Sequence, residues 1–106
     1  MKSILITGGA GDWAQSFYQQ FKNQFDISTP SRAEMDISNE LSVSNYFKNK
    51  SFDIVINNAG TIHPKRILES DTQLWINDIH VNLIGTYLTA KAALTNNAKA
   101  TIINIS

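Results

Sequence analysis

The 106-residue sequence contains no cysteine, which excludes a disulfide scaffold, a thiolate-ligated zinc site and a thiol nucleophile. It has no excess of charge of either sign. Nine Lys and Arg balance nine Asp and Glu, which argues against a nucleic-acid or anionic-membrane surface. No apolar run approaches the roughly 18 residues of a membrane span. The start does not resemble a signal peptide, because Lys2 leads into only Ile4, Leu5 and Ile6 before the polar Thr7, Gly8 and Gly9. Only two histidines occur, His63 and His80, and neither has a partner at ligand spacing, so no metal site is expected. The length fits one domain, and the expected compartment is the cytoplasm, with neither nucleic acid nor membrane as a partner.

What is present is an alternation of two hydrophobic periods, without repeats or low-complexity tracts. This predicts alternating strands and helices around a mainly parallel sheet. Residues 3–7 read as a buried strand ended by glycines. From Asp12 to about Gln24, Trp13, Phe17, Phe21 and Phe25 recur every four residues, with polar residues between them, which predicts an amphipathic helix. Residues 26–29 form a short strand stopped by Pro30. Ser38 is expected to cap a helix over 40–49, followed by a buried strand over 53–57. A polar segment spans 61–69. Ser70 or Asp71 then opens one long helix to about Thr95, and 101–105 is the last strand. Between Thr29 and Asp36 there is no room for a parallel crossover, so any strand near Met35 is at most a single bridge.

The chemistry is concentrated where the first strand meets the first helix, in Thr7-Gly8-Gly9-Ala10-Gly11-Asp12-Trp13-Ala14. A pyrophosphate is held by unpaired N–H groups at a helix N-terminus, where the helix dipole favours negative charge. Gly8 permits the tight turn, Gly11 lets the backbone approach phosphate, and the small Ala14 lets the helix pack on the strand. The plainer alternative is that the glycines only end a strand. The flanking strand and helix favour the dinucleotide reading.

Thr7-Gly8-x-x-Gly11-x-x-Ala14 and Asn57-Asn58-Ala59-Gly60, followed by Leu74-Trp75, Val81-Asn82-Leu83-x-Gly85 and Ala90-x-Ala92-Ala93, resemble the short-chain dehydrogenase/reductase family over the whole chain. The strand over 102–106 fits the same pattern. The resemblance implies an α/β fold, a Rossmann-like doubly wound parallel sheet in three α/β/α layers, of which only the first half is present. It implies that Gly8, Gly11, Asp12 and Trp13 line the pyrophosphate turn. Asp36, followed by Ile37, holds the adenine ring, and Asn58, Ala59 and Gly60 pass beside the ribose and nicotinamide. Asn82 matches the catalytic-site asparagine that holds a water of the proton relay. Plainer alternatives exist for two of these: Asp36 starting the Ser38 cap, and Asn82 as a buried amide bonded to backbone. Asp12 and Ala14 depart from the larger branch of the family, which has glycine at both positions. The glycine spacing is nearer the sugar-nucleotide branch and Asn57-Asn58-Ala59-Gly60 nearer the larger one, so the subfamily stays open.

Cofactor choice is argued from charge. A free 2′-hydroxyl is usually held by a carboxylate just after the second strand, whereas a 2′-phosphate wants a cation there. Here the chain reads Pro30-Ser31-Arg32, with no acid before Glu34, so Ser31 and Arg32 favour NADP over NAD.

In the resembled family, hydride transfer between nicotinamide and a carbonyl or alcohol needs a Tyr-x-x-x-Lys pair and a Ser. Tyr87 and Lys91 have that spacing, but they fall inside the central helix and read as packing and surface residues. The family's Ser comes one residue after the position of Ser106, and Ser106 itself is not favoured as nucleophile or substrate anchor. Residues 1–106 are therefore expected to be an NAD(P)-binding domain truncated before its catalytic Ser, Tyr and Lys, and inactive alone. The isolated chain is expected to be poorly stable or a homo-oligomer, because its last strand would be an open edge. Trp75, Ile79, Leu83 and Tyr87 form either a helix–helix dimer seam or core packing. Two rivals remain: a short nucleotide-binding or sensing module without catalysis, and a structural α/β domain that binds nothing.

Overall fold

Side chains on a strand alternate between faces, so a sheet covered on both sides needs strands that are apolar at every position. Residues 4–6 and 54–56 meet that requirement and become the two central strands of a computed structural model that describes residues 1–61 and 65–105. The strands are β1 (Ser3–Ile6), β2 (Asp26–Ser28), β3 (Ile54–Asn57) and β4 (Thr101–Asn104). All pair in parallel in the order β2-β1-β3-β4, with Leu5 opposite Ser28 and Val55, and Asn57 opposite Asn104. Helix α1 (Asp12–Phe21) joins β1 to β2, and α2 (Glu40–Phe47) joins β2 to β3. The passage to β4 runs through a 3-10 turn (Ile67–Glu69), α3 (Thr72–Ile79), a π-helical segment (His80–Ile84) and α4 (Gly85–Asn96). No strand occurs between Thr29 and Asp36.

The alternation divides the core in two. Leu5 and Val55, both fully buried, point to the side of α2 and α4. There they meet Met35, Ile37, Val43, Phe47, Phe52, Val81 and Leu88. Ile4, Ile6 and Ile56 point the other way onto Ala14, with Phe17 and Phe25 packed at the margin. The four-residue aromatic spacing becomes a ladder down α1: Trp13 stacks on Phe17 at 5.4 Å, Phe17 meets Phe21 in a tilted pair at 4.7 Å, and Phe21 meets Phe25 edge-on at 6.3 Å. The outer end of the ladder is open, with Trp13 exposed. The sheet is further tied at its lower end, where Asp53 accepts from the Ser3 N–H at 2.8 Å and the Ser3 hydroxyl at 3.2 Å. At its upper end Asn57 Nδ2 donates to Asn104 Oδ1 at 2.8 Å.

Three local expectations are corrected. Asn39, not Ser38, caps α2: its side chain accepts from the Ser42 N–H at 3.0 Å, while the Ser38 hydroxyl donates to Asp36 at 2.6 Å. Helix α1 ends at Phe21 and not near Gln24, because the chain turns at Lys22 to bring Asp26 beside Lys2. The long helix does open at Asp71, which accepts from the Leu74 N–H, but it does not keep one pitch. Its hydrogen bonding widens to the π pattern at His80–Ile84 before α4 begins. His63 and Ser106 lie outside the described residues. No described helix is long and apolar enough to cross a membrane.

Candidate functional site

The chain moves from β1 outward to β2 on one side and then to β3 on the other, so strand order reverses between β1 and β3. In open α/β sheets a crevice opens beyond the carboxyl ends of the strands at such a reversal. Thr7 closes its floor. Its hydroxyl, nearly inaccessible to solvent, accepts the N–H groups of Asn58 at 3.0 Å and Ala59 at 2.9 Å, so the ends of β1 and β3 are bound together.

Above Thr7 the glycine turn takes its shape from two different demands. Gly8 has φ +68, the left-handed region that side chains avoid. Gly9 has an ordinary φ but no space: a Cβ there would lie 2.2 Å from the Thr29 carbonyl oxygen. Sequence reasoning gave Gly9 no role, and the signal was only that a third glycine stood in the turn. The Gln15 side-chain amide also donates to the Gly9 carbonyl, holding the turn against α1. Gly11 is the N-cap of α1 and provides no side-chain cap, whereas α2 and α3 are capped by Asn39 and Asp71. The first N–H groups of α1 are therefore open to an anion, beside the exposed Asp12. The Trp13 ring turns down the helix onto Phe17, so at this turn Trp13 offers its backbone.

Two cavities meet at residues 59–61. The smaller, about 160 Å³, is lined by Thr7, Gly8, Pro30, Arg32, Met35, Asp36, Ile37 and Val81 together with Ala59, Gly60 and Thr61. The larger, about 550 Å³, is lined by Asn57, Asn58, Asn82, Thr86, Asn104 and Ile105 with the same three residues. The structure thus brings Gly8, Arg32, Asp36, Ile37, Ala59 and Gly60 to one cavity and Asn58 and Asn82 to the other. Gly11, Asp12, Trp13 and Ser31 line neither. Thr7, Pro30, Met35, Thr61 and Val81 are contributors that sequence reasoning did not assign.

Asp36 is fixed by the Ser38 hydroxyl and the Ser38 N–H, at 2.6 and 3.0 Å. The Ser38 hydroxyl is the main reason its carboxyl titrates below the ordinary carboxylate range, with a smaller contribution from the charge of Arg32. Arg32 lies 3.8 Å from Asp36 in an exposed ion pair. Such a pair contributes about 1 kcal/mol or less. Ser31 is not free: its N–H donates to Glu34 Oε1 at 3.0 Å, and its hydroxyl accepts from the Glu34 N–H at 3.4 Å. A carboxylate therefore does stand at this corner, four residues of chain folding back in a single turn. The Ser31 N–H is the main reason the Glu34 carboxyl titrates below the ordinary carboxylate range.

On the other wall, the Asn82 amide engages the backbone of Thr61 in both directions, accepting from its N–H at 2.8 Å and donating to its carbonyl at 2.7 Å. The Thr61 hydroxyl donates to Asp78 at 2.7 Å. A Cβ at Gly60 would lie 3.0 Å from Asn82 Oδ1, so a larger residue there would press on this amide. His80 reaches the Ser38 carbonyl at 2.8 Å through Nε2, which binds the π segment to the Asp36 loop. No group of three or more potential metal ligands occurs among the described residues. Tyr87 and Lys91 sit on the outer surface of α4, both exposed, with the Lys91 Nζ 5.9 Å from the Tyr87 ring centroid.

Comparison with known proteins agrees with this geometry. The chain is 29% identical over 112 residues to 3-oxoacyl-[acyl-carrier-protein] reductase of Aquifex aeolicus, covering 98% of this chain and 45% of that protein. The fold superposes on a small-chain dehydrogenase solved in complex with NADPH with a TM-score of 0.87 at 22% identity, covering 97% of this chain and 49% of that one. It also superposes on a dTDP-4-dehydrorhamnose reductase of Clostridium acetobutylicum with a TM-score of 0.74 at 27% identity, covering 94% and 34%. The chain thus spans less than half the length of the reductase it matches, and its four strands are part of the Rossmann-like fold of these proteins. The family model for short chain dehydrogenases matches residues 3–106, and the chain belongs to the short-chain dehydrogenase family.

Proposed function

We propose that this chain is the cofactor-binding part of an NAD(P)-dependent oxidoreductase that moves a hydride between nicotinamide and a carbonyl or alcohol substrate. The observation that carries the reading is the pair of cavities joined at residues 59–61, with the uncapped start of α1 beside them. A dinucleotide has two nucleoside halves and a doubly charged centre, and this arrangement offers two recesses and one cluster of open N–H groups. The adenosine half is assigned to the Arg32, Asp36 and Ile37 recess, and the pyrophosphate to the turn of Gly8, Gly11, Asp12 and Trp13. The nicotinamide half is assigned to the recess of Asn58, Ala59 and Gly60. Ser31 and Arg32 favour NADP over NAD. When bound, the nicotinamide supplies or accepts the hydride.

Within this chain Asn82 acts on the site through Thr61, holding the loop that separates the recesses, while its own carbonyl accepts from the Thr86 hydroxyl at 2.9 Å. In our reading it also holds the relay water of a complete active site. Tyr87 and Lys91 do not supply proton transfer, and residues 1–106 alone do not turn over. The relative that is a 3-oxoacyl reductase supports a carbonyl substrate for the whole protein. We place that protein in the cytoplasm. We read the exposed Trp75, Ile79, Leu83 and Tyr87 along α3, the π segment and α4 as a homo-oligomer seam. Calorimetric titration with NADPH and NADH tests the cofactor reading. Saturable binding with one site per chain, tighter for NADPH, is expected; a folded chain that binds neither nucleotide overturns it.

A further inference from the structure

We propose that Glu34 is a specificity-determining residue that opposes the 2′-phosphate and so limits the preference for NADP. The inference rests on the cofactor reading above and deepens it. Ser31 and Glu34 are bonded reciprocally across one turn, N–H to carboxylate at 3.0 Å and hydroxyl from N–H at 3.4 Å. The Met35 N–H closes the same turn onto the Ser31 carbonyl at 2.9 Å. The Ser31 N–H, the backbone donor that precedes Arg32, is thus in contact with a carboxylate before a ligand arrives. The guanidinium itself is shared with a second carboxylate, Asp36, at 3.8 Å. In the cofactor reading a phosphate ester on the adenosine ribose draws on the same N–H and the same cation, and on that N–H its negative charge would stand within a few ångströms of the Glu34 carboxylate. A ribose with a free 2′-hydroxyl meets no such conflict. One cation and two carboxylates therefore make this corner far less selective for phosphate than Arg32 alone implies.

The test uses two variants, because removing the Glu34 side chain also removes a turn-stabilising bond. Glu34→Gln keeps an oxygen able to accept from the Ser31 N–H while removing the charge, and Glu34→Ala removes both. Dissociation constants for NADPH and NADH are measured for the parent chain and both variants, at low and high salt. Glu34→Gln is expected to tighten NADPH binding by about tenfold relative to NADH at low ionic strength, leaving NADH itself little changed. The gain should shrink as salt is raised. Glu34→Ala should move the ratio in the same direction. If both nucleotides bind the parent but the ratio is unmoved in Glu34→Gln, or both affinities fall together, Glu34 is only a structural member of the turn and the inference is wrong. If neither nucleotide binds the folded parent, the cofactor reading itself falls, and this inference with it.

Discussion

Replacing Gly9 by alanine should damage this protein more than the same change at Gly8 or Gly11, although Gly8 carries the unusual backbone angle. The methyl group at position 9 would lie 2.2 Å from the Thr29 carbonyl oxygen, 2.3 Å from its carbon and 2.8 Å from the Pro30 oxygen. All three are backbone atoms at the end of β2, so none can rotate away. Relief requires a shift of about 1 Å between the β1–α1 turn and a strand paired with β1 through Leu5 and Ser28. Overpacking of this kind costs about 1–3 kcal/mol. Backbone against backbone puts Gly9→Ala at the upper end, about 3 kcal/mol. At Gly8 the cost is the left-handed φ, about 1–2 kcal/mol, with a Cβ held 3.0 Å from the Ala59 Cα. At the exposed Gly11 the one close approach is 3.2 Å to the Gly8 oxygen, and about 1 kcal/mol is expected. For a domain of this size these values correspond to a melting temperature lowered by roughly 10–20 °C for Gly9→Ala and by a few degrees for Gly11→Ala. Thermal melts followed by circular dichroism, at one protein concentration, check the order. If Gly9→Ala melts no lower than Gly11→Ala, the packing argument is wrong.

Thr7→Val preserves shape but strands the N–H groups of Asn58 and Ala59. It should cost about 2 kcal/mol or more and speed hydrogen exchange at those two amides, while unchanged exchange would refute the role of the hydroxyl. Leu5→Ala, at a fully buried position, should lose about 2–5 kcal/mol in urea unfolding, whereas Leu41→Ala on the exposed face of α2 should stay within about 0.5 kcal/mol of the parent. Asp53 titrates below its ordinary value chiefly because the Ser3 N–H bonds to its carboxylate. Its folded pKa is thus below the unfolded one, so its stabilisation is present above the ordinary carboxylate range and is lost as pH falls through the folded pKa. Melts of Asp53→Asn should therefore trail the parent at neutral pH and converge with it in acid; a gap independent of pH would contradict this.

The central strands were legible because residues 4–6 and 54–56 are apolar at every position, the pattern that only a doubly covered strand requires. The start of α2 was not, because Ser38 and Asn39 are both good caps. The choice is made by a tertiary detail, the claim of Asp36 on the Ser38 hydroxyl. The widening at His80–Ile84 left no trace in the side-chain pattern, since the helical run has apolar residues before, within and after it. In the candidate site, residues carried by motifs, such as Gly8, Asn58 and Ala59, were readable. Gly9 and Thr7 were harder, because what makes Gly9 necessary is the approach of Thr29, twenty residues along the chain. Glu34 is placed by sequence only through its distance from β2, and the single turn that returns its carboxylate to the Ser31 N–H is a local fold that the sequence pattern does not display.

The amide pair between Asn57 and Asn104 has a consequence for how the sheet assembles. The central strand β3 and its edge neighbour β4 are both rich in apolar β-branched residues, and sliding one past the other by two residues would keep the same faces inward. Such a misalignment would match apolar side chains almost as well, yet it would leave a buried carboxamide facing a hydrocarbon neighbour. Asn57 Oδ1 already lacks a protein partner among the described residues, so the Nδ2 contact to Asn104 is the side chain's one compensation. A single polar rung thereby acts as a proofreading tooth, making the correct alignment of β4 the one that hydrocarbon alone would not choose.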